Sequence, residues 1–172
     1  IPYQISSPLI KKLTRHLKSQ TNPIAHVVLM LQLEFAQRLS MNHPADVGSL
    51  GLTVALDWDV KEHHIVPPHH FSPQPAVQSQ VVGMKPHGRE FSVDKRLLQQ
   101  MIHHAFDQRR KKIRSSMKKA PRRISRIKGW HAQRWKDAMQ SLQDLDIMNA
   151  RPEELTLEDW IDFAKKVEKA SK

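Results

Sequence analysis

Apolar residues recur along this chain at two spacings, and the switches between them mark out its elements. Leu9, Ile10, Leu13 and Leu17 share one face at helical period, which predicts a helix from about Ser7 to Lys18 with Ser7 as N-cap and Pro8 at the first helical position. Ile24 to Leu31 is almost continuously apolar and β-branched, the pattern of a strand buried on both faces. Phe35, Ala36 and Leu39 return to helical spacing, and such alternation of strand and helix predicts a parallel α/β sheet. After a surface loop over Asn42 to Gly48, helical spacing resumes at Leu50, Val54 and Trp58. Asp59 to Val66 and Val77 to Lys85 read as strands. Between them stand Pro67, Pro68, Pro73 and Pro75, which lack a backbone donor and exclude helix or inner strand, so this is a stiff loop.

The pattern changes after Pro86-His87-Gly88, where the domain boundary is placed, giving domains at 1–88 and 89–172. Ser92 is expected to cap a long amphipathic helix with Val93, Leu97, Met101, Ala105 and Phe106 on one face. Pro121 and Gly129 should interrupt the helix that follows. Thr156 with Asp159 three residues on resembles a capping box, opening a last helix whose apolar face is Leu157, Trp160, Ile161, Ala164 and Val167. The second domain is therefore small and all-helical.

Charge then changes the picture. The formal net charge is +11, and Gln108 to Lys136 holds no acidic residue and thirteen of the 28 Lys and Arg. A solvated helix face interleaves Glu with Lys, whereas this run repels itself until something anionic neutralises it. Arg109, Arg110, Lys111, Lys112, Arg114, Lys118, Lys119, Arg122, Arg123 and Arg126 are the candidate RNA phosphate contacts. An anionic membrane surface is the competing partner, but no apolar run reaches membrane-spanning length. Trp130 and Trp135 are suited to stacking on bases and equally to packing, and packing is favoured. With no cysteine there is neither a disulfide framework nor a thiolate metal site, which fits a reducing cytosol. The paired histidines His63-His64, His69-His70 and His103-His104 give no ligand spacing, so no metal is expected.

Two separated segments carry a resemblance. Ile1-Pro2-Tyr3-Gln4-Ile5-Ser6-Ser7-Pro8 resembles N-L/I-P-Y-x-I-S/T-S/T-P, and Phe71-Ser72-Pro73-Gln74-Pro75-Ala76-Val77-Gln78-Ser79 resembles F-x-P-x-P-x-V-x-S, both signatures of the rRNA adenine dimethyltransferase family of the KsgA type. Phe106 to Lys112 looks like that family's F-x-x-R-R-K, and Arg151 to Thr156 is similar to its R-x-E-x-L-S. Ala76 and Gln78 depart from residues the family often carries there.

The resemblance implies an α/β fold: the distal part of a Rossmann-like S-adenosylmethionine methyltransferase sheet, then a helical RNA-binding domain. It implies S-adenosyl-L-methionine as cofactor, with its glycine-rich loop and the family's Asn upstream of Ile1, so the chain is expected to start inside a domain and not to methylate alone. The substrate would be adenine in small-subunit ribosomal RNA, and the protein a cytoplasmic monomer. The exocyclic amine of adenine is a weak nucleophile because its lone pair is delocalised, so a site must orient it. In this reading Ile1, Pro2 and Tyr3 line the amine, with the proline fixing the Ile1 carbonyl as acceptor, and Tyr3 and Phe71 flank an extruded base. The plainer alternatives are a strand end and turn for Ile1 to Tyr3 and a hydrophobic plug for Phe71. A non-catalytic ribosome-assembly module and a large-subunit, macrolide-resistance methyltransferase are the competing functions.

Overall fold

The computed structural model describes residues 2–17 and 24–170, which fall into two compact units, Ile1–Arg89 and Glu90–Lys172. In the first unit a 3-10 turn at Tyr3–Ile5 runs directly into α1 (Ser6–Leu17). The helix therefore needs no cap at Ser7, and Pro8 is accommodated within its first turn, where no intrahelical donor is lost. β1 (Val27–Gln32), α2 (Leu33–Ser40), α3 (Ser49–Val54), β2 (Trp58–Val66) and β3 (Ser79–Pro86) follow.

The three strands lie in the order β1-β3-β2, and both pairings are antiparallel. β3 returns through the proline loop and inserts antiparallel between its two predecessors, which therefore run parallel to each other, as the strand–helix alternation predicts. Trp58, expected at the end of a helix, instead opens β2, because α3 stops at Val54 and the chain turns through Ala55 to Asp57. Its buried indole N–H donates to Thr14 Oγ1 at 2.9 Å, tying β2 to α1.

One face of the sheet holds the core. Leu31, Val82, Met84 and Trp58 meet Ile10 from α1, Ala36 and Leu39 from α2 and Val54 from α3. Adjacent strand residues point to opposite faces, so the intervening Val28 lies on the other side, where it is 62% exposed. β1 is thus buried on one face and not on both, since the three helices all pack on the same side. An apolar run alone does not say how many faces are covered.

Gly51 fixes how α3 meets α2. A Cβ there would lie 2.7 Å from the Arg38 carbonyl oxygen and 2.3 Å from Met41 Cγ. Met41 caps α2 in the left-handed conformation at φ 55°, so the backbone at this contact has little room to yield. Ala is the better helix former by about 1 kcal/mol. Gly51→Ala should nonetheless destabilise the chain, by about 1–3 kcal/mol through overpacking, read as a lower midpoint in urea. A raised midpoint would show that α3 slides freely on α2.

In the second unit, α4 (Lys95–Phe106) is capped by Asp94 and not by Ser92: its carboxylate accepts from the N–H groups of Arg96 at 2.7 Å and Leu97 at 3.3 Å. α5 (Ile113–Ser116), α6 (Ala132–Ser141) and α7 (Leu157–Ala170) complete the unit. Thr156 and Asp159 form the capping box of α7, with Thr156 N–H donating to the carboxylate at 2.9 Å and Asp159 N–H to the hydroxyl at 3.1 Å. The Thr156 hydroxyl and backbone N–H hold the Asp159 carboxyl below its ordinary value. Trp135, Trp160, Phe163 and Met101 are fully buried around these helices.

Candidate functional site

Ile1 lies outside the described residues. Tyr3 is half-buried, and its hydroxyl meets Ser79 Oγ at 2.5 Å, 76 positions along the chain. Ser79 is the last residue of the second signature segment and the first of β3, so this single bond fastens the two signature segments together. Ser79 is itself fully buried, which excludes water as competitor for that hydroxyl. Sequence reasoning passed over Ser79, although it closes the F-x-P-x-P-x-V-x-S pattern.

Phe71 sits eight residues earlier in the β2–β3 loop, half-buried. Its N–H donates to Pro68 O at 3.1 Å, closing the 3-10 turn Pro68–His70 that delivers it. Neither ring is sealed in the interior, and among the described residues no ring contact joins Tyr3 to Phe71.

Gln32 stands opposite Ser79 in the β1–β3 register, and Leu33 N–H donates to Gln78 O at 3.0 Å. Beside this junction Gln32, Leu33, Glu34, Gln37, Val77 and Gln78 line a shallow cleft of about 270 Å³. Its amides offer both donors and acceptors to a base edge. The sequence singled out Gln78 only as a departure from the family pattern, and the cleft itself follows from strand register.

The basic run, expected as a helix interrupted at Pro121 and Gly129, is for the most part not helical. Arg109 to Lys111 lie in the turns after α4, the only α-helix between Asp107 and His131 is the four-residue α5, and Arg123 precedes a 3-10 turn, Ile124–Arg126. Short turns punctuated by buried Ile113, Met117, Ile124 and Ile127 hold the segment down, while Arg110, Lys111, Lys112, Arg114, Lys118, Lys119, Arg122, Arg123 and Arg126 are exposed. Arg109 differs: its guanidinium pairs with the Glu153 carboxylate. That pair joins the third signature segment to the fourth, and just outside both Ile113 N–H donates to Ala150 O at 2.9 Å. Trp130 and Trp135 pack at a centroid distance of 6.2 Å, and Arg134 lies 4.4 Å over the Trp130 ring. Both indoles are buried, so packing is their role here.

Among the described residues no three His, Cys, Asp or Glu side chains gather to hold a metal, and no helix is long and apolar enough to cross a membrane.

The family model for ribosomal RNA adenine dimethylase matches residues 1–140. This chain belongs to that family. Among similar members of it, a ribosomal RNA small subunit methyltransferase A from Prochlorococcus marinus strain NATL1A is 32% identical over 171 residues, covering 96% of this chain and 55% of the relative. One of the same name from Alcanivorax borkumensis is 37% identical over 121 residues, 69% of this chain and 42% of the relative. The chain thus spans about half the length of these dimethylase relatives. A dimethyladenosine transferase from Plasmodium falciparum superposes with a TM-score of 0.77 at 25% identity, over 99% of this chain and 65% of that one. The 23S rRNA methyltransferase ErmE shares the fold at a TM-score of 0.56 and 18% identity.

Proposed function

We propose that this chain is the distal part of an enzyme that dimethylates adenines in small-subunit ribosomal RNA, with S-adenosylmethionine as methyl donor. The observation that carries the reading is the Tyr3–Ser79 hydrogen bond, which places the two signature segments at one end of β3. There Tyr3 and Phe71 present two faces for an extruded purine, and Gln32 and Gln78 stand beside them for its edge or its neighbour. The residues here do not themselves fit the cofactor: the five glycines include no G-x-G pair, so no glycine turn is available to approach it. What these residues do is hold and orient. Fixing the amine against its attacking line contributes proximity, and excluding water beside buried Ser79 strengthens the polar contacts.

The second unit supplies the grip on ribosomal RNA, and the protein acts as a cytoplasmic monomer in this reading. The domain roles follow: the first unit belongs to the catalytic domain and the second binds RNA. Deletion of the gene, with dimethyladenosine mapped by primer extension, tests it. The expected result is loss of dimethyladenosine from small-subunit RNA. Loss from large-subunit RNA would favour the resistance-type activity, and unchanged modification would favour a non-catalytic assembly module.

A further inference from the structure

The exposed cations of the second unit are not spread evenly. The last turns of α4 and the Pro121–Arg123 turn enclose a cleft of about 230 Å³ lined by Gln100, His103, His104, Asp107, Pro121, Arg122 and Arg123. Its walls are fixed. Ile124 N–H closes the turn on Pro121 O at 3.0 Å, and Pro121 and Ile124 are buried beneath it. A His104 ring nitrogen, Nε2, lies 2.8 Å from Lys119 O. A carbonyl only accepts, so Nε2 carries the proton and Nδ1 is an acceptor whenever the ring is neutral.

These groups differ from a plain phosphate-binding face. Arg122 and Arg123 offer forked donors suited to a phosphodiester. Asp107 would repel a phosphate, yet its carboxylate accepts well from the amino and imino donors of a base, and the half-buried Gln100 amide both donates and accepts. Pro121 supplies an apolar floor. In a duplex the Watson–Crick donors are already paired, so an acceptor set next to two guanidiniums suits a nucleotide out of its helix.

We propose that this cleft binds one unpaired RNA nucleotide, its phosphate on Arg122 and Arg123 and its base edge on Gln100 and Asp107. The proposal rests on the RNA-binding reading of the second unit and adds a discriminating site to it. Through it the basic segment selects an irregular RNA feature, such as a bulge, over continuous duplex.

The test uses the full chain and two fluorescent RNA hairpins that differ only by one bulged guanosine, with affinities read by anisotropy. The bulged hairpin should bind about tenfold tighter, in line with the energy of holding one unstacked base. Arg122→Gln with Arg123→Gln should reduce that preference to about one, and Asp107→Asn should reduce it without weakening duplex binding. All three side chains are exposed, so the variants keep the fold, which circular dichroism checks. Arg110→Ala, Lys111→Ala and Lys112→Ala together should weaken both hairpins equally and keep the ratio. A native chain that binds both hairpins alike, or a preference untouched by the paired Gln variant, overturns the cleft while leaving the general RNA grip standing. Failure to bind either hairpin at low salt overturns both.

Discussion

Replacing Phe71 with Ala, in a parent protein that carries the cofactor-binding residues, should lower methyl-transfer turnover by about ten- to a hundredfold while changing RNA affinity by less than about twofold. The asymmetry follows from where the residue sits. RNA affinity is set mainly by phosphate contacts, which under the proposed function fall to the second unit, whereas Phe71 belongs to the first. A base-stacking face contributes about 1–3 kcal/mol, felt only when the purine is extruded and its amine aligned. Phe71 is half-buried on a loop tied back by its N–H to Pro68, so truncation costs little core. Single-turnover kinetics with small-subunit RNA separate the two quantities. Unchanged turnover would make Phe71 a plug under the proline loop, and a loss confined to affinity would move it from the base to the RNA backbone.

What the sequence made legible is what is written locally. Proline placement marked the β2–β3 loop, and the Thr156–Asp159 pair marked the start of α7, because a cap and a missing N–H act within a few residues. The α/β character followed from period. Element identity failed where two local signals competed. Ser92 and Asp94 are both good caps, and the hydrogen bonds from Arg96 and Leu97 decide for Asp94. Trp58 keeps helical spacing from Leu50 and Val54 yet starts β2, since its indole is satisfied by Thr14 across the core.

The site was legible in its parts and not in its joints. Tyr3 and Phe71 were picked out by their segments, but Ser79 was not, because only the return of β3 between β1 and β2 brings it under the Tyr3 hydroxyl. Likewise composition grouped Arg109 with nine other candidate cations. Folding brings Glu153 to it across 44 positions, converting one member of the run into a tie between segments. Long-range pairs of this kind leave no trace in period or composition.

That distinction sharpens what the basic run should do. Changing Arg110, Lys111 and Lys112 together to Ala, and sparing Arg109, should weaken RNA binding by about ten- to a hundredfold at low salt and flatten the log–log salt slope by about 2. Each cation that contacts a phosphate releases about 0.7 of a counterion on a single strand, so three contacts set that change in slope. All three side chains are exposed, so stability should be unaffected. Arg109→Ala alone should behave oppositely, because it leaves the Glu153 carboxylate without its guanidinium and removes a tie between the α4 turn and the Pro152–Glu154 turn. With Arg109 48% and Glu153 28% exposed, the pair contributes at most about 1 kcal/mol, and that cost is expected in the unfolding midpoint more than in RNA affinity. Filter binding across a salt series, beside urea unfolding, reads both. If the triple variant keeps its slope, these three cations are a solvated surface and the phosphates are held elsewhere on the unit.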